Sequence, residues 1–189
     1  MGRIRESDIV YGMELVLPSS EYEDSFIEAV KEFQRDDEFP RQKGWYAELS
    51  LEELEKDFTT YVKGQLAQAR GENLPEGYVP QSNYWLVDDG EFIGAVRIRQ
   101  RLNEHLMEIG GHIGYAIRPS MRGRGYGNQI LELALRKAKE MGIERVRITC
   151  DVDNIPSRKI IEKNGGMLDS EIPNPETGVS KARFWIHNT

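Results

Sequence analysis

The sequence predicts an α/β fold in which a mixed sheet carries helices on both faces. Three features point to it. Strand-like and helix-like segments follow one another in the order β-α-α-β-β-β-α-β-α-β-β. An arginine- and glycine-rich run, Arg122-Gly-Arg-Gly-Tyr-Gly127, lies between a short apolar strand at 112–117 and a long amphipathic helix. A second apolar strand at 145–150 leads into a helix with a strong start signal at Asn154. The 189 residues suffice for one domain with a substantial core and are short for two, so residues 1–189 are expected to form a single domain.

Residues 9–17 are a largely apolar run ending at Pro18 and read as the first strand. Ser19 or Ser20 then caps a helix whose buried stripe is Phe26, Ile27, Val30 and Phe33, at spacings of three and four. Residues 36–44 read as a charged loop. Ser50-Leu-Glu-Glu53 is a capping box. The helix it opens runs to about Arg70, with Leu51, Leu54, Phe58, Tyr61, Val62 and Leu66 on one face. Pro75, Gly77 and Pro80 make 71–81 a loop. Two strands follow, 82–87 and 92–101, around Asp88-Asp-Gly-Glu91, a hairpin signal. In the second of them Val96 and Ile98 alternate with Arg97 and Arg99, so one face is expected to be wet. Residues 106–117 supply the next strand, where Gly110-Gly111 suggests a bulge or a close backbone approach. The helix from about Gly125 to Met141 buries Ile130, Leu131, Ala134 and Ala138 and stops at Gly142. Strand 144–151 comes next. Asn154 as cap, Pro156 just inside and Gly165-Gly166 at the end delimit a helix over 154–164. Residues 166–172 and 180–187 read as a closing hairpin.

The glycine run carries the chemistry. Glycines at 123, 125 and 127 permit φ > 0 and a close approach to a ligand. The N–H groups of such a turn converge at a helix start, itself partially positive, and Arg122 and Arg124 add charges that can pair with phosphate oxygens. A phosphorylated cofactor is expected. A dinucleotide fingerprint does not fit, because Ile130 stands where G-x-G-x-x-G needs its third glycine. A Walker loop does not fit either, for want of Gly-Lys followed by Ser or Thr. What remains, Arg-x-x-Gly-x-Gly at Arg122, Gly125 and Gly127, resembles the acyl-coenzyme A pyrophosphate loop of the GNAT superfamily of N-acetyltransferases. The segment from Asn154 through Ser157, Ile161 and Lys163 to Gly165 resembles that superfamily's second signature, N-x-x-[AS]-x-x-x-[YI]-E-K-x-G. The resemblance covers roughly residues 84–168 and hardly touches residues 1–75.

The resemblance implies a mixed, mostly antiparallel sheet whose central strands splay apart, with pantetheine pairing to strand backbone in the gap. It implies that Ala116, Ile117 and Arg118 face pantetheine and that Arg122, Gly123, Arg124, Gly125, Tyr126 and Gly127 hold the pyrophosphate. Asn154 and Ser157 would lie near the thioester. The implied activity is transfer of an acetyl group from acetyl-CoA, a co-substrate, to an acceptor amine by direct attack in a ternary complex. Such transfer needs a neutral amine, a donor for the carbonyl oxygen, for which an N–H near Ile117 suits, and a way for the thiolate to leave.

Glu108, read as early in the strand entering the site, is a candidate base acting through water, or a solvated strand-end glutamate. His112 is the second candidate, or a structural histidine. Many relatives carry a tyrosine seven residues after the asparagine; here Ile161 stands there and cannot donate a proton. With Ser157 in N-x-x-S, the helix start resembles the branch containing ribosomal-protein acetyltransferases. Ser157 is then the candidate donor, or a hydroxyl bonded to backbone, with Tyr115 or Tyr126 as substitutes. Asp151 and Asp153 bind a substrate cation or cap the loop. Cys150 in its apolar strand reads as core.

Composition narrows the partners. A net charge of −7 argues against general nucleic-acid binding. With no apolar leader and no stretch of 18 apolar residues, no membrane association is expected. A single cysteine suits a reducing compartment, and the reading is a cytoplasmic protein. His105, His112 and His187 are isolated, so no metal is expected. The acceptor, a small-molecule amine or a protein N-terminus, is expected against the first two helices, loops 36–44 and 71–81, and the closing hairpin. A homodimer is left open. The alternative to an enzyme is a non-catalytic acyl-CoA-binding sensor or interaction module.

Overall fold

The computed structural model describes residues 12–37, 45–72 and 74–188. Strand β1 is Met13–Val16; residues 9–11 of the expected strand, and 38–44 of the expected charged loop, lie outside the described residues. Ser19 accepts a hydrogen bond from the Glu21 amide at 3.2 Å, a short 3-10 turn covers Ser20–Tyr22, and α1 runs over Glu23–Arg35. Its stripe of Phe26, Ile27, Val30 and Phe33 is buried as its periodicity requires.

The long second helix breaks in two. Ser50 caps α2, Leu51–Lys56, and Asp57 then leaves helical geometry at φ −152° and ψ 72°. Asp57 caps α3, Phe58–Ala67, through Oδ1, which accepts from the Thr60 amide at 3.0 Å. A short acidic side chain that can satisfy a fresh helix start outcompetes continuity of the apolar face. Strands β2, Gln81–Asp88, and β3, Glu91–Arg99, form the expected hairpin. Its turn places Asp89 at φ 48° and Gly90 at φ 80°, which matches the right-handed twist of the flanking strands.

The strand expected over 106–117 is a correction. Leu106–Gly110 form a turn of π-helix, and only Ile113–Ile117 is strand, β4. Asn103 starts the turn: its Oδ1 accepts from the Leu106 amide and its carbonyl from the Met107 amide, both at 2.9 Å. Gly111, at φ 88°, ends it, and a Cβ there would stand 2.6 Å from the Arg147 carbonyl oxygen.

Helix α4 covers Tyr126–Glu140, strand β5 Arg145–Asp151 and helix α5 Ile155–Lys163, followed by the hairpin of β6, Met167–Ile172, and β7, Lys181–His187. The strands form two sheets, in orders β1-β2-β3-β4 and β5-β7-β6, and every ladder among the described residues is antiparallel. The expected mixed, mostly antiparallel sheet with splayed central strands takes the form of two antiparallel sheets, with β4 and β5 as facing edges. Helices cover both faces. Phe26, Phe33, Tyr46 and Phe58 pack with Trp85, Phe92 and Ala116 on one side. Ile130, Leu131, Ala134 and Ile161 pack with Val96, Ile113, Ile148 and Phe184 on the other.

Candidate active site

The edges of β4 and β5 touch at one place. Gly111 bridges Ile148, the His112 amide donates to the Arg147 carbonyl at 2.7 Å, and the Arg147 amide donates to His112 Nδ1 at 2.9 Å. Past this junction no strand pairing joins the two among the described residues. Register decides which groups face the gap. The His112 carbonyl accepts from Arg99 and the Arg118 amide donates to Ile93, so even-numbered residues here turn their backbone toward β3. Alternation leaves the N–H and C=O of Tyr115 and Ile117 on the opposite edge. On β5, the Glu144 carbonyl and Val152 amide bond toward the β7 side, which turns the backbone of Thr149 to the same gap. The Ile117 carbonyl accepts from Arg122, but no strand pairs with these edges past the junction among the described residues, and two such edges across a wedge can accept an extended ligand as an added strand.

After β4 a short 3-10 turn, Pro119–Met121, leads to Gly123 at φ 74° and Gly125 at φ 91°. The amides of residues 123–127 have no acceptor among the described residues, while those of Asn128 and Gln129 return to the Gly125 carbonyl at 3.0 and 3.4 Å. A Cβ at Gly123 or Gly125 would meet nothing within 4 Å, so the turn borders open space. Successive free N–H groups at the start of a 15-residue helix make an anion cradle. Gly127 has a further duty: a Cβ there would stand 2.5 Å from Ile160 Cδ1, so its bareness lets α4 and α5 close on each other. Arg124 is exposed.

Arg118 and Arg122 turn inward to acidic partners on α1 and just after it. Arg118 pairs with Glu32 at 2.8 Å, and Arg122 pairs with Asp36 at 2.7 Å while its Nε donates to the Ile117 carbonyl at 3.3 Å. Both brace α1 against the end of β4. Burial alone would raise the Glu32 pKa, but hydrogen bonds from Arg118 and the Ser120 amide outweigh it and hold the carboxyl below its usual range. The Tyr126 hydroxyl donates to Asp88 at 2.8 Å and pins the start of α4 to the end of β2.

At the wedge, Tyr115 Oη and Ser157 Oγ lie 3.0 Å apart. Asn154 caps α5, its Oδ1 accepting from the Ser157 amide at 3.1 Å, which fixes the first turn and presents the serine. Burial pushes the Tyr115 phenol well above its ordinary value, so it keeps its proton. Cys150 is buried nearby, and burial, with Asp151 adding to it, pushes its thiol up to about 11. A protonated thiol is no nucleophile. Asp151 pairs with Lys181 at 2.7 Å. Ile161 is fully buried in the core.

The two base candidates fare differently. Glu108 sits on the π-turn rather than in a strand, and it is exposed. His112 bolts β4 to β5. Its Nδ1 lone pair receives the Arg147 amide, so the proton resides on Nε2 and neither nitrogen is free to accept another. Burial, with the Arg99 cation nearby, lowers its pKa and keeps it neutral.

The profile described as "Acetyltransferase (GNAT) domain" matches residues 15–167. The chain belongs to this family. A curated relative, the uncharacterized N-acetyltransferase YnaD of Bacillus subtilis (strain 168), is 31% identical over 81 residues, 42% of this chain and 45% of that protein. The match therefore spans about half the length of that relative. Among solved structures, the RimL ribosomal L7/L12 alpha-N-protein acetyltransferase in complex with coenzyme A gives a TM-score of 0.68 at 20% identity, over 94% of this chain and 95% of that one. The microcin C7 self-immunity acetyltransferase MccE, in complex with acetyl-CoA and AMP, gives 0.69 at 14% identity, over 94% and 93%. At these identities the likeness is one of fold.

The matched GNAT span holds both edges of the wedge, the glycine turn and the hydroxyl pair, and leaves out most of the closing hairpin. Motif reading of a GNAT chain finds Ser157 and Tyr115 separately. It cannot find their contact, which joins residues 42 apart. Trp45, which no sequence pattern singled out, covers Gly114 of β4: a Cβ there would stand 3.2 Å from its ring. No helix among the described residues is long and apolar enough to cross a membrane.

Proposed function

We propose that this chain transfers an acetyl group from acetyl-CoA to an acceptor amine by direct attack in a ternary complex. One observation carries the reading: among the described residues, a wedge between strand edges that no strand joins opens beside a run of backbone amides that lack acceptors. Pantetheine lies along the free edge of β4 and pairs with strand backbone there. The pyrophosphate takes the amides of 123–127, with Arg124 adding charge. This leaves the thioester carbonyl beside the Ile117 N–H, a donor suited to the oxyanion that forms when the amine attacks. The C–S bond then breaks, and the Tyr115–Ser157 pair hands a proton to the departing sulfur. Glu108, on the turn leading into β4, takes the amine proton through water. Cys150 forms no covalent intermediate, and its single thiol suits a reducing compartment such as the cytoplasm.

Calorimetry with coenzyme A and acetyl-CoA tests the cradle in Gly125→Glu against Gly125→Ala. Both variants strain a backbone at φ 91°, but only the glutamate projects a negative charge into the phosphate position. Affinity should fall at least about a hundredfold further in the glutamate variant than in the alanine variant, as two lost charge-assisted hydrogen bonds would give. Equal affinities would move the cofactor elsewhere.

A further inference from the structure

Arg97 and Arg99 lie two apart on β3, on the face that carries α1 and α3, and both are half-buried. Their surroundings are unusual for cations. Arg97 stacks on Trp45 at 4.0 Å from the ring centroid, and Arg99 donates from Nη1 to the Gly111 carbonyl at 3.1 Å. Neither forms an ion pair with an acidic side chain among the described residues. The titratable groups that bear on Arg97 are phenols, those of Tyr46, Tyr61 and Tyr78, and none is a carboxylate. Burial lowers both pKa values, and Arg97 presses Arg99 down further, to about 10. Arg118 and Arg122, just after the neighbouring strand β4, each have a carboxylate at 2.8 Å or less. Two adjacent half-buried cations without an anion are destabilising unless something supplies one. The chain carries a net charge of −7, yet no carboxylate among the described residues pairs with either arginine.

The pair also lies on β3, the strand that pairs with the one carrying Ile117. Arg97 stands opposite Gly114 in the β3–β4 ladder, and Ile117 lies three residues further along, roughly 10 Å at ~3.4 Å per residue. The aromatic wall of Trp45, Tyr46 and Tyr61 belongs to the α1–α3 side, opposite the Tyr115–Ser157 pair. We propose that Arg97 and Arg99 recognise an anion on the acceptor, so that the amine acetylated here also carries a carboxylate or a phosphate group. The planar fork of each guanidinium suits either group, and the aromatic wall excludes water from the contact. This inference rests on the acetyl-transfer reading for the word acceptor, but the anion site itself does not.

The test compares wild type with Arg97→Gln and Arg99→Gln, following thiol release from acetyl-CoA. The amines are matched: β-alanine and γ-aminobutyrate for carboxylates, O-phosphoethanolamine for phosphate, and propylamine and ethanolamine as neutral controls. Wild type should prefer one anionic arm, and each variant should lose tenfold to a hundredfold in kcat/KM for it, mainly through KM. The variants should change less than about threefold for neutral amines and keep their Tm, because removing an unpaired half-buried charge relieves strain. Equal use of neutral and anionic amines by wild type, or an equal loss for both classes with a lowered Tm, would overturn the proposal. Failure of every amine to react would instead refute acetyl transfer to small amines. The anion site is then read alone, by titrating inorganic phosphate and β-alanine against tryptophan emission. A saturable change that disappears in Arg97→Gln and in Trp45→Phe sustains it, and no saturable change in wild type refutes it.

Discussion

Replacing Tyr115 with phenylalanine removes one oxygen from a contact of 3.0 Å and leaves the ring in place. As a structural bond the pair is worth about 0.5–1.5 kcal/mol, a neutral hydrogen bond exchanged against water. For a chain of this size each kcal/mol moves Tm by roughly 2–4 °C, so Tyr115→Phe should lower Tm by only about 1–6 °C. As a proton donor to the leaving sulfur the pair is worth more, about 10²–10⁴ in rate. The two magnitudes separate the roles. We expect kcat to fall about a hundredfold or more in Tyr115→Phe and in Ser157→Ala, with acetyl-CoA affinity by calorimetry nearly unchanged. The double variant should lose no more than the worse single one, because the hydroxyls act as a unit. Burial holds the phenol above 10, so kcat should show no descending alkaline limb from this acid between pH 6 and 10. The same shift favours the neutral phenol in the folded state. Its contribution to stability is therefore complete below pH 10 and is lost as pH rises beyond that. A Tyr115→Phe enzyme with kcat within threefold of wild type at pH 7 to 9 would refute the assignment.

Gly94 faces the end of β4 so closely that a Cβ would stand 2.5 Å from the Ala116 carbonyl oxygen and 3.3 Å from Ile117 Cα. Both are backbone atoms that cannot turn aside, so Gly94→Ala should cost about 1–3 kcal/mol in thermal denaturation and lower kcat/KM by displacing the Ile117 amide. Cys150→Ala should keep kcat within about threefold, and the native thiol should resist iodoacetamide at pH 8 until the chain is unfolded, since burial holds it up to about 11.

Local signals were legible because their causes lie within a few residues. The Asn154 cap with Pro156, the Asp89-Gly90 turn and the stripes of α1 and α4 each follow from contacts inside one element. The strand expected over 106–117 misled for a related reason. Apolar residues fit a strand or a turn of helix equally well, and Asn103 settled the matter by capping from outside the run. Arginines were the hardest to place. Arg97, Arg99, Arg118 and Arg122 look alike as a pattern, and their roles diverge only with what stands opposite each: Trp45, the Gly111 carbonyl, Glu32 and Asp36.

By itself, then, the sequence determined the order of elements, the family likeness and the glycine turn with its helix, since propensity, capping and left-handed backbone need no distant partner. Only the tertiary structure decided that β4 and β5 part after one junction, that Tyr115 meets Ser157, and that His112 accepts from the Arg147 amide across that junction. Each of those outcomes depends on which strand edge a backbone group finds and which side chain arrives across a gap. That is fixed by register and packing between residues far apart in the chain.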